Sequence, residues 1–204
     1  MRWPLVLVLL AGCDKLFDLS HVDDHPRADA PADTRTNDVP DVDAPVDAVV
    51  QTHSSCPTFF TQPYENSQYR YFSSPLTWRQ AFDFCRQLDD PTSTKRVHLS
   101  VMTGDLERQH LYVDVVGSAS AFWAGLTDTK TEGTFLWVTD EVVNYPSSSA
   151  WGPNEPSNGV GDNCVRVNYS NTDLDAMACS TMTPFVCECD DYKLDAAHYT
   201  LPPL

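Results

Sequence analysis

"AFWAGLTDTKTEGTFLWV", residues 121–138, is the stretch on which the reading of this chain turns. AFWAGL and FLWV are short runs rich in aromatic and aliphatic residues, the composition that packs on a partly buried sheet, so both read as strands. The polar residues between them place Asp128 and Glu132 four positions apart. Further on, CVRV (164–167) and FVCE (185–188) read as strands for the same reason. Between Thr139 and Asn163 the periodicity is lost, with seven Ser or Asn residues before Gly161. A loop longer than about 12–15 residues in a compact domain is usually functional or disordered. Upstream, WRQAFDFC (78–85) puts Trp78, Ala81, Phe82 and Cys85 at helical spacing, with Thr77 as its N-cap. HLSVMTGDLERQHLYVDVV (98–116) reads as a short strand followed by a second helix.

The chain opens MRWPLVLVLLAGC. Its apolar run is far shorter than the roughly 20 residues that span a bilayer, and it reads as a secretory signal over residues 1–12. Leu10-Ala11-Gly12-Cys13 resembles a bacterial lipobox, in which the peptide is cut before the cysteine and the Cys13 sulfur takes a diacylglycerol. The alternative is an ordinary signal with an incidental cysteine. Lipidation implies an exported protein anchored to a bacterial membrane, at the outer membrane or cell surface. Residues 13–55 continue as a tether of Asp, Pro, Ala and Val. From Asp14 to Ser55 ten Asp face Lys15, Arg27 and Arg35, a net charge of −7. Such a segment buries too little apolar surface to offset the entropy of ordering and is expected to stay disordered and extended.

The remainder reads as one domain, 56–190, and a C-terminal tail, 191–204, in which His198 is expected to fray. From Cys56 to Leu204 there are 19 acidic and nine basic residues, a net of −10. That excludes nucleic acid and an anionic bilayer as targets, since both demand a basic surface, and it suits a cation. Six cysteines besides Cys13 imply disulfides in an exported domain, with 15 connectivities open. Cys187 and Cys189 form no zinc-finger pattern, because no second thiolate pair stands at the right spacing.

Taken in order, WRQAFDFC, FWAGLTD, WGPNEPSN (151–158), DNCVRV and PFVCE resemble the C-type lectin-like domain, in which W-x-G-L, an E-P-N-like tripeptide and paired cysteines recur in this succession. The resemblance covers 56–189. It implies an α+β fold of two helices, small antiparallel sheets and a long irregular ligand-carrying loop, stapled by disulfides Cys85–Cys187 and Cys164–Cys179. Cys56 then has Cys189 as its remaining partner.

The resemblance also implies calcium. One family site takes oxygens after the W-x-G-L strand, matched by Asp128 and Glu132, with Asn158, Asp162 and Asn163 where its other ligands fall. The second, which binds sugar directly, draws on Glu155, Ser157 and Asp162, with Asp175 before Cys179 and a cis bond before Pro156. Here Ser157 replaces an amide, Ala176 replaces an acid and Leu174 replaces a tryptophan. Calcium wants six to eight oxygens, and its affinity rises with ligand charge. The resemblance therefore implies one or two sites weaker than the family pattern. The expected ligand is a carbohydrate or glycoconjugate held by Glu155, Ser157, Asp162 and Asp175, with Trp151 beside them. The alternative is a protein partner bound without calcium. Trp123 and Trp137 are expected in the core. No nucleophile elbow, H-E-x-x-H helix or phosphate loop is present, so no catalytic residue and no enzyme is expected.

Overall fold

The computed structural model describes residues 55–204 other than 119, 158, 160 and 169–171. The signal, Cys13, the tether before Ser55, and Asn158 lie outside the described residues. Among the described residues, no helix is long and apolar enough to cross a membrane.

Among the described residues eight strands run in the order β1 (Gln62–Tyr64), β2 (Ser67–Leu76), β3 (Arg96–Leu99), β4 (Phe122–Thr127), β5 (Leu136–Trp137), β6 (Cys164–Val167), β7 (Leu174–Met177) and β8 (Thr183–Asp190). Helix α1 (Trp78–Gln87) lies between β2 and β3; α2 (Asp105–His110) comes after β3 and continues into a π-helical turn, Leu111–Val115. The strands join in the order β1-β2-β8-β4-β6-β7, with β3 on β8 and β5 on β4. The small antiparallel sheets expected from the sequence are thus linked into one mixed sheet. The link is a single parallel pairing of Trp123 in β4 with Phe185 in β8.

Helix α1 forms where the sequence places it. Trp78, Ala81, Phe82 and Cys85 make its buried face, and Thr77 closes a capping box with Gln80, each side chain accepting from the other's backbone N–H. The Trp78 indole N–H donates to the Ala124 carbonyl at 2.9 Å, fastening the helix to β4. Gly125 is required by close approach: a Cβ there would lie 2.8 Å from Val138 Cγ2 and 2.9 Å from the Leu99 carbonyl oxygen. The glycine of W-x-G-L therefore sits where β4 passes tightly against the end of β3 and the residue that follows β5.

All three implied disulfides are present: Cys56–Cys189, Cys85–Cys187 and Cys164–Cys179. In the loop-entropy account, closing 102 residues contributes about 4.7 kcal/mol and closing 15 about 3 kcal/mol. Trp123 and Trp137 are buried as expected.

The chain end departs from expectation, because 191–204 is docked and not frayed. Leu194 pairs with Thr139, and Asp195 N–H donates to the Val138 carbonyl at 2.9 Å. His198 Nδ1 donates to the Trp137 carbonyl, Tyr199 packs 5.1 Å from Phe82, and Arg79 reaches the Pro202 carbonyl at 3.2 Å. The partners lie far upstream in the chain, where no local pattern around residue 195 announces them.

Candidate functional site

The long loop runs from β5 to β6, and its described residues form one 3-10 turn, Ser148–Ala150, of their own. It is held at intervals. Trp151 bridges to Leu174 and packs 5.0 Å from Phe135, which leaves it half-buried. Arg108, buried on α2, donates to the carbonyls of Ala150 and Thr172 at 3.3 and 2.7 Å and pairs with Asp105 and Asp173. The peptide bond between Glu155 and Pro156 is cis, as the motif implies.

Beyond that bond the loop gathers on the edge of β7. Glu155 Oε2 accepts from the backbone N–H groups of Ser157 and Ala176 at 2.8 and 2.9 Å. The Ser157 hydroxyl lies 3.3 Å from Asp162 Oδ2 and 3.4 Å from the Ala176 carbonyl oxygen. Glu155, Ser157 and Asp162 are therefore brought together with one backbone oxygen. Asp175, buried in β7, turns toward β6: its Oδ2 accepts from Asn168 at 2.5 Å and from Arg166 at 3.3 Å. A positive charge supplied by the chain already stands beside that carboxylate.

Asp128 is also buried. Its Oδ2 accepts from Gly133 N–H at 2.8 Å, while its Oδ1 is shut from solvent and accepts from no described group. The Asn163 carbonyl accepts from Asp128 N–H and from the Thr127 hydroxyl, so these two site residues are neighbours. Glu132 is exposed in the turn beyond. Among the described residues no three His, Cys, Asp or Glu side chains converge on a point that holds a metal ion. The orphaned Asp128 oxygen is the feature that fits a calcium ion best, since a buried acceptor without a donor is rare in folded proteins.

A third polar cluster carries no motif in the sequence. Glu188 and Asp190 are both buried on β8. Tyr69 donates its hydroxyl toward Glu107 Oε1 and lies 3.0 Å from Glu188 Oε1. Glu188 Oε2 accepts from Val101 N–H, and Glu107 Oε2 from the N–H and hydroxyl of Thr103, each at 2.7 Å. One phenol proton cannot serve two carboxylates, so the geometry calls for a proton on one of them. Burial, with the charges of Asp190 and Glu107, pushes Glu188 well above the usual carboxylate range, against the pull of His98. The His98 ring donates to the Leu99 carbonyl and to Asp190 Oδ1 at 2.9 and 3.0 Å. Burial alone would lower it, but the hydrogen bond and charge of Asp190 carry it up to about 9. Period 2 along C-E-C-D was the available signal: cysteines alternate with acids, so both acids share a face.

A mixed sheet with two helices, three staples and a long loop closing on a cis-proline edge defines a class of binding domain. The sequence profile of the lectin C-type domain matches residues 74–189, and the chain belongs to that family. Members of the family are in general binding proteins and not enzymes. The chain is 34% identical over 132 residues to mouse C-type lectin domain family 4 member F, covering 61% of this chain and 22% of that protein. It thus spans about a fifth of that relative's length. Among solved structures, C-type lectin CEL-I from Cucumaria echinata superposes with a TM-score of 0.60 at 20% identity, over 70% of this chain and all of that one. A calcium-independent type II antifreeze protein gives 0.56 at 20% identity, over 66% of this chain and 93% of that one. At such identities these two likenesses speak for the fold alone.

Proposed function

We propose that this domain is the recognition head of an exported protein, anchored through lipidated Cys13 and held off a bacterial outer membrane or cell surface by its acidic tether. It binds carbohydrate through the long loop with the help of calcium. The observation that carries this reading is the convergence of Glu155, Ser157, Asp162 and the Ala176 carbonyl on one edge, with two carboxylates and a hydroxyl within reach of one another. A calcium ion there would offer positive charge to vicinal sugar hydroxyls. The chain's own part is to orient those oxygens and to hydrogen-bond the same hydroxyls. Asp128, with Asn163 beside it and Glu132 in the adjoining turn, is the basis for a second ion that steadies the loop.

A calcium-independent protein ligand is the second reading. It is favoured by the Arg166–Asp175 pair and by Ala176, which together reduce the acidic ligand set at the edge to Glu155 and Asp162. That an antifreeze protein of this fold is described as calcium-independent is compatible with it. Thermal melting of the purified chain with 10 mM calcium and then with chelator separates the two. At 100 times its dissociation constant a ligand adds about 2.7 kcal/mol, or roughly 5–10 °C here. A shift of that size, together with calcium-dependent retention on a glycan array, supports the first reading. An unchanged melting temperature rejects it.

A further inference from the structure

A cleft of about 330 Å³ lies between the start of the long loop and the docked chain end, away from Glu155 and Asp162. Phe135, Trp137 and Tyr145 wall it, and the carboxylates of Asp140, Glu141 and Asp195 stand around it. Asp140 and Asp195 are partly engaged, accepting from the backbone N–H groups of Lys193 and Ala197 at 2.8 Å each. Asp195 also faces His198 Nε2 at 3.3 Å. Glu141 differs from both. It is partly buried, and among the described residues it accepts no hydrogen bond and forms no ion pair. Burial first, then the charges of Asp190, Glu107 and Asp140, push its carboxyl up to about 7, with His98 pulling the other way. A further positive charge entering the cleft would stabilise the ionised form of this group, adding to the pull of buried His98.

The form of that charge can be read from the walls. The carboxylates are spread around the cleft, and no three acidic or histidine side chains among the described residues close on a metal ion. Aromatic walls with spaced carboxylates match a cation that has an organic body, through ring contact and ion pairing together. The volume is at the low end of ligand pockets, about 300–1,000 Å³, which suits one side chain. The domain's net charge of −10 draws cations toward it.

We propose that this cleft is a second binding site, independent of the carbohydrate reading, which takes a primary ammonium or guanidinium group on a short stem, with Glu141 pairing the charge and Phe135, Trp137 and Tyr145 forming the walls. The group can be a free amine or the Lys or Arg side chain of a protein. The test is an NMR titration of the 15N-labelled full chain at low salt with butylammonium, N-acetyl-arginine amide, a lysine-arginine hexapeptide and neutral N-acetyl-norleucine amide. The cations should give saturating shifts at Glu141, Val142, Asp195 and His198, and the neutral amide should not. Glu141→Gln should weaken every cation at least tenfold while leaving the rest of the spectrum in place. Asp195→Asn, a smaller loss of about threefold, gives a second reading if the first variant folds poorly. Hexapeptide binding more than tenfold tighter than butylammonium identifies a protein side chain as the ligand; equal binding identifies a free amine. The proposal is overturned if the neutral amide shifts the same resonances as strongly, or if the cation shifts spread over the acidic surface and survive both substitutions.

Discussion

Two clusters of acidic residues in this domain use the same side chains for opposite ends. Around Glu188 and Asp190 every carboxylate is sealed from water, and its charge is met by a shared proton, a backbone N–H or the His98 ring. Burying a charge without such partners would cost several kcal/mol, so the network locks β8 to β2, β3 and α2. Around Glu155 and Asp162 the loop is pinned through backbone groups, while the Ser157 hydroxyl shares weak, long contacts with Asp162 and Ala176. Partners held that loosely exchange for a ligand at little cost. Solvent access, and not residue type, separates the acids that lock the sheet from those proposed for the loop edge.

The comparison breaks most severely at Glu188. Replacing it with Ala leaves the Val101 N–H without its acceptor, takes away one of the two carboxyl partners of the Tyr69 hydroxyl and opens a hole inside the core, and should cost about 3–4 kcal/mol. Urea titration should show a lower midpoint at an unchanged slope. Glu155→Ala should lose less, about 1–2 kcal/mol, because its two N–H partners lie nearer solvent. A larger loss at Glu155 than at Glu188 would reverse the assignment of the two clusters.

Between those two values falls Arg108→Ala, at about 2–3 kcal/mol, since one buried guanidinium fastens the long loop to the approach of β7. Hydrogen exchange should rise at Ala150 and Thr172 and remain slow in β8.

Dependence on pH sharpens the contrast. Glu188, Glu141 and His98 all bind protons more tightly folded than unfolded, Glu141 up to about 7 and His98 up to about 9. Their contribution is complete below the unfolded values of 4.5 and 6.5 and is lost as pH rises through the folded ones. The melting temperature should therefore fall between pH 5 and 9, and His98→Asn should flatten the upper part of that fall. A rise across this window would refute the buried proton count.

Smallest in stability, and sharpest in function, are changes at the loop edge. Asp162→Asn should move stability by less than about 1 kcal/mol yet abolish any calcium-induced rise in melting temperature. Ser157→Asn restores an amide oxygen and should enlarge that rise.

Much of this was legible in the chain. WRQAFDFC carries its own periodicity and cap, and the W-x-G-L strand carries a glycine that close approach demands, so α1 and β4 could be read locally. The three disulfides could be paired because the resemblance carried by the order of motifs implies two of them and leaves Cys56 and Cys189 for the third. Glu155, Ser157 and Asp162 could be named together because the resemblance to the C-type lectin-like domain implies an E-P-N-like tripeptide and a later acid as one ligand set. Arg166 on Asp175 and the docking of 191–204 were not legible, because each depends on segments brought together only when the sheet closes.

The sequence alone determined the helical face of α1 and the succession of motifs, since those depend on spacing along the chain and on side-chain character, and the resemblance carried by those motifs implied the staples and the residues of the loop edge. Only the tertiary structure decided which acids are buried, which oxygen is left without a donor at Asp128, and that a cleft opens beside Glu141. Burial and partnership are properties of space between distant segments, and electrostatic free energy depends on that space far more than on the identity of the charged residue.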